Sequence, residues 1–93
     1  MSKDASAKVI IANKLGLHAR PAMIFVELAC DFQADISVRR TNQQDPVDGK
    51  SIMQMMMLAA TQGTEIEITA VGADARKAVQ QLVALVKSKF EEE

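Results

Sequence analysis

The chain has 93 residues, of which 48% are hydrophobic and 25% charged, and eleven Lys and Arg against twelve Asp and Glu give a net charge of −1. This length supports one modest hydrophobic core, so we expect a single domain over residues 1–93. The charge balance argues against nucleic acid as a partner, because binding to a phosphate backbone requires a basic excess.

Membrane and metal sites are also not expected. No apolar run is long enough to cross a bilayer, which predicts no membrane insertion. Met1–Ser6 lacks the apolar core of a signal peptide, so we expect a cytoplasmic protein. A single cysteine, Cys30, and a single histidine, His18, offer no metal-ligand spacing. We therefore expect no metal and no cofactor.

The first half of the chain predicts two strands separated by a helix. Lys8–Ala12 is a β-branched run that is typical of a strand. Pro21 fits the first turn of a helix, where its missing N–H costs little, and Ala22–Ala29 continues that helix. In Asp35–Arg40, apolar residues alternate with polar ones, which indicates a half-buried strand.

The next segment contains a loop, a second helix and a strand. Thr41–Gly49 is polar and predicts a loop with a very short strand near Val47. Lys50–Ala60 predicts a helix that Gly63 terminates in a left-handed conformation. Thr64–Val71 alternates strictly, which predicts a strand with one face in solvent.

Ala75–Phe90 is predicted as the longest helix, and Glu91–Glu93 as a solvated tail. The apolar stripe of this helix comprises Ala75, Ala78, Val79, Leu82, Val83, Val86 and Phe90. The element order β-α-β-β-α-β-α, with crossover helices kept on one side by the right-handed rule, predicts an α+β fold. We expect an open-faced β-sandwich in which three helices cover one face of a four-stranded antiparallel sheet.

His18 stands where the first helix begins. With Pro21 in the first turn, His18 lies at or next to the N-cap, in front of unsatisfied backbone N–H groups that favour an anion, phosphate in particular. Arg20 adds a planar fork of donors suited to phosphate oxygens, and Gly16 is expected to leave the approach open. These residues predict a site that accepts a phosphoryl group. The alternative is that His18 only caps the helix.

Two motifs carry a resemblance to a known family. The segment 13–22, NKLGLHARPA, resembles the active-site signature of HPr, the histidine-containing phosphocarrier of the bacterial phosphoenolpyruvate-dependent sugar phosphotransferase system. Segments 49–53 and 58–68 resemble later segments of the sequences of the same family. The resemblance implies that enzyme I phosphorylates His18 on Nδ1, that Arg20 binds the phosphoryl oxygens, and that the group passes to an enzyme II A domain.

Ser51 follows Gly49 and Lys50 in a pattern similar to the end of a nucleotide-binding P-loop. The first glycine of that motif would fall at Gln44, so nucleotide binding is rejected. Serine is a favoured N-cap, and Ser51 is expected to cap the second helix. The resemblance implies that in some lineages HPr kinase/phosphorylase modifies this serine for regulation.

The second helix carries four of the six methionines. Ile52, Met53 and Met56 share one helical face, whereas Met55 and Leu58 are expected to point into the core. An exposed Ile/Met patch indicates a partner site. The docking surface implied by the resemblance comprises Ala19, Met23, Val26, Ile52, Met53 and Met56.

The later part of the first helix departs from the family pattern. Glu27 and Cys30 occupy a stretch that is often basic in the family, which bears on partner affinity and identity. Cys30 itself is expected to be buried or half-buried on its helix.

These features predict a monomeric phosphocarrier for sugar uptake whose partners are enzyme I and enzyme II A domains. An alternative is a regulatory phosphocarrier of the nitrogen-related phosphotransferase branch that acts by docking on partner proteins. A third reading, a regulatory paralogue without phosphotransfer, is disfavoured because His18 and Arg20 are both present.

Overall fold

The computed structural model describes residues 4–91, so most of the predicted tail at 91–93 and the first half of Met1–Ser6 lie outside it. The elements are β1 (Asp4–Ile10), α1 (Ala19–Ala29), β2 (Asp35–Arg40), β3 (Val47–Asp48), α2 (Ile52–Met57), β4 (Glu65–Val71) and α3 (Ala75–Lys87). The predicted fold class and element order are confirmed, including the short strand near Val47.

The four strands form one antiparallel sheet in the order β1-β4-β2-β3. Ile68 of β4 lies between Ala7 of β1 and Val38 of β2 on the face that the helices cover. On the opposite face, the Arg39 guanidinium donates to the Glu67 carboxylate at 2.9 Å. The sheet is therefore apolar on one face and polar on the other, as the alternation in β4 predicts.

The hydrophobic core fills the space between the sheet and the three helices. Its largest fully buried apolar side chains are Phe25, Phe90, Ile11, Met55, Ile66, Ile68, Leu82, Val38 and Val86. In the part of the chain that the structure describes, no helix is both long enough and apolar enough to span a membrane.

The second helix is shorter than the predicted range Lys50–Ala60. It ends at Met57, and Ala59 adopts the left-handed conformation with φ of 53°. The predicted role of Gly63 as helix terminator is therefore wrong. Gly63 lies in the following loop, where its N–H donates to the Ile11 carbonyl at 2.8 Å. The helix ends early because the segment after it must turn back to meet the chain after β1.

The predicted helix Ala75–Phe90 is wrong at its C-terminal end. Helix α3 stops at Lys87, and Lys89–Glu91 form a tight turn in which all three residues have φ near +60°. Phe90 is nevertheless buried, as predicted, because this turn folds against both α3 and α1. The change of handedness returns the aromatic ring to the core instead of continuing along the helix axis.

Candidate functional site

His18 is the N-cap residue of α1, as predicted. Its backbone is extended, with φ of −79° and ψ of −171°, and its carbonyl accepts the Ala22 N–H at 3.0 Å. Its half-buried side chain makes no hydrogen bond that caps the helix. The alternative in which His18 only caps α1 therefore lacks the side-chain bond that capping requires.

The start of α1 leaves two backbone amides without an acceptor in the described part of the chain. Among residues 4–91, no group accepts a hydrogen bond from the N–H of Ala19 or Arg20, and Pro21 has no N–H. These orphan donors and the aligned peptide dipoles of an 11-residue helix place partial positive charge beside His18. Such a helix end stabilises a phosphate dianion without burying it.

Arg20 is exposed and, within the described residues, makes no ion pair or side-chain hydrogen bond. It lines a cavity of about 450 Å³ together with Ile24, Phe90 and Glu91. The sequence interpretation placed Glu91 in a solvated tail and missed this proximity. The apolar character of Phe90 could have indicated that Glu91 lies near Arg20, because burial of Phe90 holds the next residue close to α1.

The loop before His18 is fixed against the segment that follows α2. Leu17 N–H donates to the Ala60 carbonyl at 2.8 Å, and the buried Asn13 side-chain amide donates to the Gly16 carbonyl at 2.9 Å. Gly16 is buried with φ of 66°, and a Cβ there would overlap the Ala60 carbonyl oxygen and lie 2.8 Å from Thr61 Cα. The expectation that Gly16 keeps the approach to His18 open is wrong, since glycine is required here for close backbone packing.

Ser51 caps α2, as predicted, and its Oγ accepts the Gln54 N–H at 3.2 Å. The neighbouring Lys50 ammonium donates to the Phe32 carbonyl at 2.7 Å, just beyond the C-terminal end of α1. His18 lies at the other end of α1, which spans roughly 16 Å at 1.5 Å per residue. The structure therefore does not bring Ser51 and His18 together.

Asp74 fixes the turn between α1 and β2. Its carboxylate accepts the N–H groups of Gln33 and Ala34, both at 2.9 Å. The hydrogen bond from Gln33 lowers the pKa of the Asp74 carboxyl below its usual range, against partial burial, which raises it. The Ala34 amide and the Lys50 ammonium lower this pKa further. This carboxylate has a structural role away from the His18 site.

Five of the six residues predicted for docking lie on the surface, and α1 packs beside α2. The exposed five are Ala19, Met23, Ile52, Met53 and Met56. The assignment of Val26 to this surface is wrong, because its side chain is 6% exposed. Val26 shares a helical face with Ala22 and Ala29, both fully buried, so it points toward the core. Met55 and Leu58 are buried, as predicted.

Among the exposed apolar residues that the predicted docking surface omits, one lies in the loop before His18 and one on α2. Leu15 protrudes from the loop before His18, and Met57 is exposed one helical turn after Met53. The i, i+4 spacing of the two methionines could have identified Met57. The expectation of a buried or half-buried Cys30 is wrong: it lies exposed at the C-cap of α1, where the helix ends.

A metal site would need several His, Cys, Asp or Glu side chains close together within residues 4–91. No cluster of three or more His, Cys, Asp or Glu side chains there could hold a metal ion. His18 stands beside backbone amides at the start of α1, and Arg20 follows two residues later. An imidazole, backbone amides and a guanidinium are groups that can accept and stabilise a phosphoryl group.

Most of the chain is similar to known proteins. The family model described as "PTS HPr component phosphorylation site" matches residues 5–88. The phosphocarrier protein HPr of Pseudomonas aeruginosa is 44% identical over 85 residues, 91% of this chain and 93% of that protein. The phosphocarrier protein NPr of Proteus mirabilis is 37% identical over 86 residues, 92% of this chain and 94% of that protein. The crystal structure of HPr-C-His from Thermoanaerobacter tengcongensis superimposes with a TM-score of 0.88 at 43% identity, covering 96% of this chain and 98% of that one.

Proposed function

We propose, because this chain belongs to the HPr family of phosphocarrier proteins of the phosphotransferase system, that His18 accepts a phosphoryl group from phosphorylated enzyme I and donates it to an enzyme II A domain. The observation that carries this proposal is the position of His18 at the N-terminus of α1. Its ring forms no cap bond there, and the adjoining amides of Ala19 and Arg20 have no acceptor among residues 4–91.

The transfer step exchanges one bond to phosphorus for another. The lone pair of His18 Nδ1 attacks the phosphorus atom, and the bond from phosphorus to the donor on enzyme I breaks as the new P–N bond forms. The phosphoryl oxygens then lie against the positive end of α1, where the amides of Ala19 and Arg20 can donate to them. In the second transfer the P–N bond to His18 breaks as phosphorus forms a bond to the acceptor on the enzyme II A domain.

Arg20 is assigned the binding of phosphoryl oxygens during transfer. Its guanidinium is exposed and unpaired within the described residues, so no existing ion pair must break before it binds phosphate. A planar guanidinium can donate two parallel hydrogen bonds to phosphoryl oxygens. Because the site stays in contact with solvent, it stabilises the dianion only moderately, which keeps the group transferable.

Docking is assigned to the exposed apolar residues of α1 and α2. Ala19 and Met23 follow His18 on α1, and Ile52, Met53 and Met56 lie on the neighbouring helix. Methionine side chains adapt to partners of different shape, which suits a carrier that must engage both a donor and an acceptor protein. We expect the carrier to act as a monomer.

Ser51 is assigned a regulatory role as a phosphorylation site. It lies away from His18 but directly precedes Ile52 and Met53 of the docking surface. A phosphate on Ser51 would therefore add charge and bulk where partners dock, without contact with the His18 ring.

A second candidate function is signalling in the nitrogen-related branch of the phosphotransferase system. The NPr relative covers the chain as fully as the HPr relative does, with an identity of 37% against 44%. The chemistry at His18 is the same in both cases, and the acceptor protein differs. Transfer rates to a sugar-specific and to a nitrogen-related enzyme II A domain, measured side by side, would separate the two.

The central experiment incubates the protein with phosphoenolpyruvate and its cognate enzyme I. We expect one acid-labile phosphoryl group per chain, located on His18 by mass spectrometry and lost in His18→Ala. Ser51→Asn is the matched control, because asparagine retains an N-cap acceptor and His18 should still be labelled. Absence of label on the parent protein, or label retained in His18→Ala, would overturn the proposal.

A further inference from the structure

Three methionines project together from the outer face of α2. Met53, Met56 and Met57 are 76%, 43% and 76% exposed, and their i, i+3 and i+4 spacing places them next to one another. Met55, on the opposite face of the same helix, is fully buried. A six-residue helix therefore separates its thioethers into an accessible group and a protected one.

We propose that Met53, Met56 and Met57 form a reversible oxidation site for peroxides, and that their oxidation weakens docking of the carrier on its partners. The effect on docking rests on the proposed function, whereas the selectivity of oxidation rests on exposure alone. For convenience these three residues are called the methionine cluster.

The oxidation is a two-electron oxygen transfer. The lone pair of the thioether sulfur attacks one oxygen of hydrogen peroxide, the O–O bond breaks, and water leaves after proton transfer. The sulfur is oxidised to a sulfoxide and the peroxide is reduced. Methionine sulfoxide reductases, one for each sulfoxide epimer, regenerate the thioether with two electrons from a thiol reductant, and the oxygen leaves as water.

Oxidation of the methionine cluster would change the surface and spare the core. Each sulfoxide replaces a flexible apolar group by a polar one, and a partner that covers it must desolvate that polar oxygen. Met55 keeps its packing in the core, and the Ser51 cap to Gln54 is untouched. The folded protein should therefore persist while its docking surface becomes polar.

Two other oxidisable side chains lie on the described surface. Cys30 is exposed at the end of α1, and Met23, which is 46% exposed, lies on the same helix. Cys30→Ser is therefore the background for every measurement, so that thiol oxidation cannot account for the result. Because Met23 belongs to the proposed docking surface, the transfer measurements use Cys30→Ser protein that also carries Met23→Leu, and in the oxidation-rate test Met23 is followed individually by mass spectrometry.

The first test measures where peroxide reacts. Cys30→Ser protein is treated with hydrogen peroxide, and sulfoxide is quantified at each methionine by fragmentation of the tryptic peptide that spans Ser51–Arg76. We expect Met55 to oxidise roughly tenfold or more slowly than Met53 and Met57, since reactivity follows exposure. Equal rates at Met55 and Met53 in folded protein would overturn the proposal.

The second test measures transfer after the peroxide has been removed. Oxidised protein that carries Cys30→Ser and Met23→Leu should show a KM toward enzyme I that is raised roughly tenfold, with little change in kcat, because a polar group replaces an apolar contact. Treatment with the two reductases and dithiothreitol, which supplies the two electrons for each sulfoxide, should restore the KM. An unchanged KM after full oxidation of the methionine cluster would overturn the proposal.

Leucine variants supply the matched controls. Replacing Met53, Met56 and Met57 by leucine in the same background keeps the surface apolar and removes the reactive sulfurs. Peroxide should not change the KM of that variant relative to its own untreated value. Met55→Leu should remain as sensitive to peroxide as its parent, and peroxide sensitivity that disappears in Met55→Leu would contradict the proposal.

These tests separate the inference from the proposed function. If untreated protein accepts no phosphoryl group at His18, the proposed function fails, and the oxidation pattern of Met53 against Met55 remains measurable. If untreated protein is phosphorylated but oxidation leaves transfer unchanged, only the present inference fails.

Discussion

Replacement of Gly16 by alanine tests whether close backbone packing positions the His18 loop. Gly16 has φ of 66°, a conformation that costs an alanine residue about 1–2 kcal/mol. The added Cβ would overlap the Ala60 carbonyl oxygen and lie 2.8 Å from Thr61 Cα. Because both obstacles are backbone atoms, no side-chain rotation can relieve the overlap.

Relief of the overlap requires the two segments to separate. Separation breaks the hydrogen bond from Leu17 N–H to the Ala60 carbonyl, at 2.8 Å, which contributes about 1 kcal/mol. Strain and the lost hydrogen bond together predict that Gly16→Ala lowers the free energy of unfolding by about 2–3 kcal/mol. For a domain of this size the melting temperature should fall by roughly 10–20 °C.

Gly63→Ala is the matched control. Gly63 also has a positive φ, of 89°, but no atom lies within 4 Å of the Cβ that alanine would add. Its cost is therefore limited to backbone strain of about 1–2 kcal/mol. Urea unfolding of both variants, followed by circular dichroism, compares them directly, and phosphotransfer should slow only in Gly16→Ala. Equal stabilities of the two variants within about 0.5 kcal/mol would refute the reasoning, since a difference that small is the size of the effect of an ordinary surface substitution.

Three further predictions address the phosphoryl site, the docking surface and the pH dependence of stability. Arg20→Ala should slow single-turnover transfer from phosphorylated enzyme I roughly tenfold or more through loss of charge-assisted hydrogen bonds, with an unchanged urea midpoint; an unaltered rate would remove Arg20 from the mechanism. Met53→Glu should raise the KM for enzyme I roughly tenfold while thermal stability stays close to that of the parent, because this side chain is largely exposed; unfolding would instead place Met53 in the core. Hydrogen bonds from the Gln33 and Ala34 N–H groups lower the pKa of the Asp74 carboxyl. The ionised carboxylate therefore stabilises the folded protein above the unfolded-state pKa near 4, and this stabilisation is lost as the pH falls through the lower folded-state pKa. Asp74→Asn should therefore be less stable than the parent at pH 7, and the difference should shrink in unfolding measurements below pH 4; a constant difference would contradict this assignment.

Local patterns in the sequence determined the elements and the position of the candidate nucleophile. Alternation of apolar and polar residues located β2 at Asp35–Arg40, and Pro21 placed His18 at the start of α1. Ser51 was expected to cap α2 and does so. These features depend on neighbours a few residues apart, because strand periodicity, helix periodicity and capping bonds are all short-range.

Only the tertiary structure decided which side chains are covered and which segments meet. Val26 is buried because α1 turns that face toward the core, and Gly16 needs glycine because Ala60 lies against it. The left-handed turn that buries Phe90 beside α1 likewise depends on contacts with distant residues. Such features arise from packing between segments far apart in the chain. The periodicity within one segment does not indicate which distant residues will contact that segment.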